Sequence, residues 1–267
     1  MAEQPRRYQV IANDLRQAIY QGQFPPQAQL PQQTELMERY AVSKETVTKA
    51  FRELAAEGLV EALHRRGWHV RQHPERLQIT RERTVHRDEI GYFFDLAAQG
   101  WRALAAPEIG RVPAPWDIAR LLDVPVGSEV LIRARIMGDP ETREAHQLAA
   151  SFLPLDLVDE LPVLEAADTG PGGIYDRLED AGHGPLVWFE RISARAATAR
   201  EVELLRLPPG VPVQRILRTS TSPAGKVCEI NATSMSAELY EIGYPVERDQ
   251  SAVPRPGPSA RPPRSAG

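Results

Sequence analysis

The sequence predicts an α+β fold built from two unlike parts, and three observations support this prediction. Helical periodicities follow one another through the first 58 residues and then give way to a short hairpin pattern. Residues 84–247 instead alternate β-rich stretches with short helical ones, for which an antiparallel sheet with helices is expected. Residues 248–267 are rich in Pro, Ser, Ala and Arg, and we expect them to be disordered because they cannot bury enough apolar surface.

The composition is that of a globular chain without membrane or secretory signals. Of 267 residues, 42% are hydrophobic and 25% are charged, which provides enough apolar material for sizeable cores. No stretch approaches the length of apolar sequence that a transmembrane helix needs, and no apolar segment follows the N-terminal Arg pair. The single cysteine, Cys228, excludes an intrachain disulfide framework and a Cys-based zinc cluster. A reducing cytoplasmic location is therefore expected.

Charge is distributed unevenly along the chain. Residues 1–76 contain eleven Lys and Arg against nine Asp and Glu, a balance of +2. Since the whole chain carries −4, the remainder carries −6. A mildly basic N-terminal part on an acidic body is compatible with nucleic-acid binding by that part, and argues against a chain that coats nucleic acid or membrane indiscriminately.

Two helices are predicted in the first 41 residues. Residues 8–21 place Tyr8, Ile11, Leu15 and Ile19 on one helical face. This helix should stop at Gly22, because the prolines that follow prevent it from resuming. The second helix follows Pro31 and should end at residues 41–42, with three side chains turned inward: Leu36, Met37 and Tyr40.

A third helix should begin after Ser43, whose hydroxyl is a favoured N-cap. Glu45 falls in its first turn, where the helix dipole stabilises a carboxylate. Gly58 should close the helix, and its buried stripe is expected to consist of Val47, Ala50, Phe51 and Leu54.

Two β-prone pieces follow the third helix. They cover residues 59–63 and 68–70, and Gly67 permits the tight turn between them. Three helices followed by a hairpin in under eighty residues is the layout of a winged helix-turn-helix. The sequence therefore predicts such a domain over residues 1–74, a linker over residues 75–83, and a second domain over residues 84–247.

The outward face of the third helix and the wing form a candidate DNA-binding surface. A recognition helix needs an apolar stripe that fixes it to the domain, with short polar or long basic groups near its N-terminus. Arginines at the tip of the wing are placed to reach the DNA backbone or minor groove. The candidate residues are Gln33, Thr34, Ser43, Lys44, Glu45, Thr46, Thr48, Lys49, Arg52, Arg65, Arg66 and Gly67. Taken alone, the charged face of this helix could simply be exposed to solvent without binding anything. The order of the helices, the wing and the spacing between these elements argue against that alternative.

The same region resembles the GntR family of bacterial transcription regulators. The resemblance rests on Leu30-Pro31, Val42-Ser43-Lys44-Glu45-Thr46-Val47, and Leu54-Ala55-Ala56-Glu57-Gly58-Leu59-Val60, and covers about sixty residues. It implies a winged-helix head, a homodimer and an inverted-repeat operator in double-stranded DNA.

Three positions depart from the common pattern of that family. Thr34 and Thr48 stand where an arginine is frequent, and Glu45 stands where a small residue or threonine is frequent. Each missing arginine removes a possible guanine or phosphate contact. Glu45 has two interpretations, since it can accept a hydrogen bond from a cytosine amino group or cap its own helix; the dipole argument favours the cap. An atypical operator is expected.

The body alternates strands and short helices. Strands are predicted over residues 130–137, 147–153, 186–194, 213–220 and 227–235. Helices are predicted over residues 116–122, 155–161, 174–181 and 197–205. The glycines of residues 170–173 precede one of these helices and could offer backbone N–H groups to an anion, although such a loop is more often only a connector.

The body resembles the UTRA effector domain of the HutC subfamily. Segments that carry the resemblance include Arg133-Ala134-Arg135-Ile136, Ser151-Phe152-Leu153-Pro154 and Ile174-Tyr175-Asp176-Arg177. The resemblance implies a chorismate-lyase-like fold with a ligand cavity. By this resemblance the candidate effector-binding residues are Arg133, Arg135, Ser151, Glu190 and Glu229. Arg133 and Arg135 can also be interpreted as surface residues paired with acids.

Three functional hypotheses follow. The first is a repressor that a small-molecule effector releases from its operator. The candidate arginines are compatible with an anionic effector, because arginine binds carboxylate and phosphate groups through paired hydrogen bonds. The second is a DNA-binding module whose body only dimerises. The third is a lyase-like enzyme, against which stands the lack of a nucleophile elbow, P-loop, zinc-ligand cluster or dinucleotide motif in the sequence. Neither a cofactor nor a metal is expected.

Overall fold

The computed structural model describes residues 6–72, 74–81, 83–87, 92–93, 100–208, 210–249 and 251. Its α-helices are α1 (Arg7–Tyr20), α2 (Gln33–Tyr40), α3 (Lys44–Ala56), α4 (Trp116–Leu122), α5 (Leu155–Glu160), α6 (Gly173–Leu178) and α7 (Ala199–Leu204). A 3-10 helix spans Pro162–Glu165, and a π-helical turn spans Glu179–His183. Within the described ranges, no helix is both long enough and apolar enough to span a bilayer.

The strands are short at the start of the body and long in its centre. They are β1 (Val60–Leu63), β2 (Gly67–Val70), β3 (Leu77–Thr80), β4 (His86–Arg87), β5 (Tyr92–Phe93), β6 (Arg102–Ala103), β7 (Glu108–Pro113), β8 (Glu129–Gly138), β9 (Ala145–Pro154), β10 (Val187–Arg195), β11 (Val213–Thr221), β12 (Val227–Ser236) and β13 (Tyr240–Gly243).

The first three helices and the β1–β2 hairpin pack around one apolar cluster. The predicted stripe of α3 is fully buried in it, together with residues of α1 and α2. Ser43 caps α3, because its Oγ accepts a hydrogen bond from the Thr46 backbone N–H at 3.4 Å. Gly67 pairs with Leu63 at the start of β2 and has a φ of +83°, a conformation that favours glycine. The predicted three helices and hairpin are therefore present, with ends shifted by one or two residues.

The body contains a seven-stranded antiparallel sheet, which confirms the α+β class. Its order is β10-β11-β12-β9-β8-β6, with β7 also paired to β8. One face carries a cluster formed with α4, in which Ile118 and Leu122 pack against Val130 and Ile230. The other face packs against α5, the 3-10 helix and α6 through a second cluster that includes Leu164. The five predicted central strands are all in this sheet.

Residues 77–80 form strand β3, which sequence analysis treats only as part of a linker. β3 pairs in parallel with β13, so that Leu77 lies opposite Tyr240 and Ile79 opposite Ile242. Ile79 is buried in a small cluster with Ile216 and Tyr240. A four-residue strand has too little periodicity to be identified alone, and its partner lies about 160 positions further along the chain.

One other prediction needs correction. The helix predicted over residues 174–181 ends as an α-helix at Leu178 and continues as the π-helical turn, where Gly182 has a φ of +90°. The short strands β3 to β7 and β13 are not predicted. The prediction that residues 248–267 are disordered lies outside the described residues, apart from residues 248, 249 and 251.

Candidate DNA interface and effector face

The outward face of α3 is open to solvent. Lys44, Glu45, Lys49 and Arg52 are exposed, whereas Val47 between them is fully buried. With Tyr8 and Thr48, these four side chains line a groove of about 830 Å³. The Nζ atom of Lys49 lies 4.2 Å from the centre of the Tyr8 ring, so this cation is held against α1. The face thus presents three exposed cations, Lys44, Lys49 and Arg52, and Lys49 is the one held against an aromatic ring.

The start of α2 touches α3 at its outward side. The Gln33 Nε2 donates a hydrogen bond to Thr48 Oγ1 at 3.3 Å. Both side chains are half-buried, while the neighbouring Thr34 is exposed. The sequence nominates Gln33 and Thr48 separately, and the structure brings them together.

The wing tip projects two exposed arginines, Arg65 and Arg66. Gln29, which sequence analysis does not single out, donates from Nε2 to the backbone carbonyl of Arg66 at 3.0 Å. A cleft of about 760 Å³ separates the wing from the start of α2, and Thr34 lies on its wall. Gln29 and Arg66 are 37 positions apart in the chain, so no local sequence pattern predicts this hydrogen bond.

Glu45 interacts with the N-terminus of its own helix. Hydrogen bonds from its own backbone N–H and from the Ser43 side chain lower the pKa of the Glu45 carboxyl. Such bonds stabilise the charged form of a carboxylate at a helix start. This geometry favours the capping interpretation of Glu45 over readout of a cytosine.

A line of polar side chains crosses one face of the central sheet. The strand register aligns one residue from each of five neighbouring strands, in the order Arg133, Ser151, Asn231, Arg218 and Glu190. Residues directly opposite each other in antiparallel strands have side chains on the same face. We call these five residues the polar row.

The remaining two candidates lie on the same face as the polar row. Arg135 is two residues from Arg133 on β8, and Glu229 is two residues from Asn231 on β12. Because strand side chains alternate, positions two apart share a face. The structure therefore brings all five sequence-predicted residues to one face, and adds Asn231 and Arg218, which the sequence analysis missed. Alternation along the strand predicted at residues 227–235 was the available signal for Asn231.

Arg133 anchors the 3-10 helix. Its side chain is buried, and Nη1 donates to the carbonyl oxygens of Leu164 and Ala166, each at 2.6 Å. Burial, with a smaller effect from the neighbouring charge of Arg135, lowers the pKa of Arg133. The described residues offer this guanidinium carbonyl partners rather than a carboxylate. Its Nη2 also donates to the carbonyl oxygen of Ala167 at 3.4 Å, whereas its buried Nε has no hydrogen-bond partner among the described residues.

Arg135 and Glu229 carry buried atoms without a partner among the described residues. These atoms are Arg135 Nε and Glu229 Oε1. The other carboxylate oxygen of Glu229 accepts from the Tyr175 hydroxyl at 2.7 Å and from Ser220 Oγ at 2.9 Å. An unsatisfied buried polar atom is costly, and a polar ligand is one way to satisfy it.

Ser151 belongs to a short chain of hydrogen bonds that starts in the polar row and continues along β12. Its Oγ accepts from Asn231 Nδ2 at 3.2 Å, and Asn231 Oδ1 accepts from the Thr233 hydroxyl at 3.1 Å. Ser151 is fully buried. Glu190 lines a cleft of about 430 Å³ beside Trp188.

The glycine loop before α6 is occupied by a side chain of the protein itself. A Cβ placed on Gly172 would lie 1.7 Å from Asp176 Oδ2, so the absence of a side chain at Gly172 makes room for this carboxylate. Asp176 also forms an ion pair with Arg87. This arrangement agrees with the interpretation of the loop as a connector.

Comparisons with known proteins identify both halves of the chain. Residues 7–70 match the family model of the bacterial regulatory proteins of the gntR family, and residues 107–241 match that of the UTRA domain. An uncharacterized HTH-type transcriptional regulator of Streptomyces coelicolor is 32% identical over 262 residues, covering 92% of this chain and 96% of that protein. The HTH-type transcriptional repressor NagR of Bacillus subtilis is 24% identical, over 90% and 95% of the two chains.

A solved structure agrees over nearly the whole chain. The crystal structure of a GntR-family transcriptional regulator superposes with a TM-score of 0.70 at 28% identity, covering 92% of this chain and 99% of the other. The winged N-terminal domain and the sheet of the body thus have matching counterparts in one protein. The chain belongs to the GntR family of bacterial regulatory proteins and is a DNA-binding transcription regulator with a UTRA effector-binding domain.

Proposed function

We propose that the protein is a cytoplasmic, homodimeric repressor of the HutC subfamily that leaves an inverted-repeat operator when a small anionic molecule binds the body. The observation that carries the proposal is the pairing of an open recognition-helix face with a buried polar row in one chain. The name of the Bacillus subtilis relative, a transcriptional repressor, supports repression rather than activation. We also infer that the chain catalyses no reaction, since its relatives are regulators.

For DNA binding, we propose that α3 lies in the major groove and the wing beside the backbone. Lys44 and Arg52 would contact phosphates or guanine edges, while Ser43, Thr46 and Thr48 would contact phosphates or thymine methyl groups. Arg65 and Arg66 would reach the minor groove or backbone, with Gly67 allowing the tight wing turn. Gln33, Thr34, Glu45 and Lys49 complete the proposed surface, with Gln33 acting through Thr48.

For the effector, the free atoms of Arg135 and Glu229 suggest the chemistry. Arg135 offers a donor to an acidic oxygen, and Glu229 offers an acceptor to a hydroxyl or amino group. A small molecule with a carboxylate or phosphate and a nearby donor group fits both, with Ser151 between them. Arg133 would hold the wall of the site through the 3-10 helix, and Glu190 would lie at its edge.

The homodimer is supported by the edge of the sheet. Strand β10 is the last strand of the sheet order, and Val187, Phe189 and Ile192 on it are exposed. An exposed strand edge with large apolar side chains is a common site of subunit pairing. Size-exclusion chromatography with light scattering tests this part, and a monomer at micromolar concentration would contradict it.

The experiment for the whole proposal starts from genome-wide binding, which supplies the operator. Fluorescence anisotropy then measures the affinity of the full-length chain for that duplex, with and without fractions of a metabolite extract. We expect one fraction to weaken operator binding, and Arg135→Gln to abolish that response while the affinity without extract is kept. Release that persists unchanged in Arg135→Gln would favour a body that only dimerises.

A further inference from the structure

The linker strand β3 is fixed to the body at both ends. The Leu77 N–H donates to the carbonyl oxygen of Leu239 at 2.8 Å, and the Arg81 N–H donates to that of Gly243 at 2.7 Å. Between these bonds, Ile79 is 2% exposed and packs on the sheet. The route from the winged domain to the body therefore runs along a docked strand.

The side chain of Arg81 continues from this strand to the end of the polar row. Its Nη1 lies 3.3 Å from Glu190 Oε1, and Arg218 Nε donates to that same oxygen at 3.2 Å. The three side chains are 9%, 23% and 12% exposed for Arg81, Glu190 and Arg218. One carboxylate oxygen is thus shared between a guanidinium of the linker and a guanidinium of the polar row.

We propose that Glu190 is a positioning residue that couples the polar row to the linker, rather than a direct effector contact. This inference rests on the proposed function, because it assigns regulation to the same effector face. Its Oε1 oxygen is already used by two cations, and a carboxylate disfavours the approach of an anionic ligand. Glu190 lies between the two guanidinium groups and offsets part of the repulsion between them.

The coupling has a direction. An anion that reaches Arg218 competes with Glu190 for the same guanidinium and repels the Glu190 carboxylate. One of the contacts that hold Arg81 against the body is thereby weakened, and β3 loosens from β13. A looser linker no longer fixes the spacing of two winged domains on an inverted repeat, so operator affinity falls.

Hydrogen exchange of the full-length chain without any ligand or DNA tests the contact itself. We expect Glu190→Gln to raise the exchange rate of amides 78–81 roughly tenfold, a size between those expected for losing an exposed and a buried ion pair. Glu203→Gln, an exposed carboxylate on α7, is the matched control and should leave these amides unchanged. Arg81→Gln should have the same effect as Glu190→Gln, Arg81→Lys should keep part of the protection, and the double variant should add little to either single one.

Two results would overturn the proposal. One is exchange of amides 78–81 that is equal in Glu190→Gln and in Glu203→Gln. The other is a rise in exchange that is as large within β11 and β12 as in β3, which would make Glu190 a general support of the sheet.

Operator affinity provides the functional measurement, with the duplex recovered by genome-wide binding as the probe. Without any small molecule, Glu190→Gln should weaken binding about fivefold to tenfold, as the loosened state does. Unchanged affinity in Glu190→Gln would refute the coupling role. Failure of the proposed effector function is distinguishable from failure of the coupling role. In that case no metabolite fraction would release the wild-type chain from the operator, while Glu190→Gln would still raise the exchange of amides 78–81.

Discussion

The Arg71 guanidinium forms an ion pair with the Glu238 carboxylate, with 2.5 Å between Nη2 and Oε2. Arg71 directly follows the wing strand β2, and its N–H donates to the Leu59 carbonyl oxygen. Glu238 lies in the turn between β12 and β13. The pair therefore fastens the winged domain to the turn that leads into the partner strand of the linker.

We expect this pair to be energetically coupled, because its side chains are only 13% and 11% exposed. In a double-mutant cycle of Arg71→Gln and Glu238→Gln, urea unfolding should give a coupling free energy of about 1.5–3 kcal/mol, as for hydrogen bonds to charged groups. The exposed pair Arg200–Glu108 is the control, and its coupling should be about 0–1 kcal/mol. Equal coupling free energies in the two pairs would mean that the Arg71–Glu238 pair stabilises the protein no more than an exposed surface pair does.

The two neighbouring arginines of β8 should behave differently when replaced. Arg133→Gln should lower the free energy of unfolding by roughly 2–4 kcal/mol, because the carbonyl oxygens of Leu164 and Ala166 lose a buried charged donor. Arg135→Gln should change stability by less than about 1 kcal/mol, since no hydrogen bond of its guanidinium is present within the described residues. Urea unfolding of both variants checks the difference. A reversed order of stability would mean that the assigned roles are exchanged.

Ser43 should stabilise α3 through its cap. Ser43→Ala should destabilise the winged domain by about 1 kcal/mol, because the Thr46 N–H loses its acceptor. Ser43→Asn keeps an N-cap acceptor and should unfold at nearly the wild-type urea concentration. If Asn nevertheless weakens operator binding as strongly as Ala does, the hydroxyl contacts DNA directly; if neither variant weakens it, Ser43 has no role at the interface.

The stability of the body should fall at acidic pH through Glu201. Although burial opposes ionisation, hydrogen bonds from Arg195 and the Thr198 N–H lower the pKa of Glu201 from 4.5 to about 2. A depressed folded-state pKa contributes stability above the unfolded value, and this contribution is lost as pH falls from about 4.5 toward 2. Urea unfolding across this range should give a smaller pH slope in Glu201→Gln. Glu203→Gln, exposed on the same helix, should keep the wild-type slope.

Local features of the chain were predictable because their causes are local. The cap at Ser43, the buried stripe ending at Leu54 and the wing turn at Gly67 each depend on residues within a few positions of one another. The five central strands were predictable because the strand-like pattern of each extends over seven or more consecutive positions.

Contacts between distant segments were not predictable from those patterns. The sequence nominates Arg133 as a ligand residue, but its carbonyl partner at Leu164 lies 31 positions away. The sharing of Glu190 by Arg81 and Arg218 depends on a sheet register and on the docking of β3, neither of which leaves a local signal. Family resemblance identifies these strand residues as candidates. Only the fold shows that Arg133 binds the 3-10 helix, that Arg135 has a buried atom without a partner among the described residues, and that Glu190 contacts the linker.

The central claim is that operator binding and effector binding are coupled in one chain. The small molecule is first purified from extract, with the shift it causes in the melting temperature of the protein as the assay. The most direct test is then the affinity of the full-length protein for its operator duplex, measured with and without this molecule. We predict that this molecule weakens operator binding about 5–150-fold, and that the operator weakens binding of the molecule by the same factor. Operator affinity that stays the same at a saturating concentration of the molecule would contradict the account.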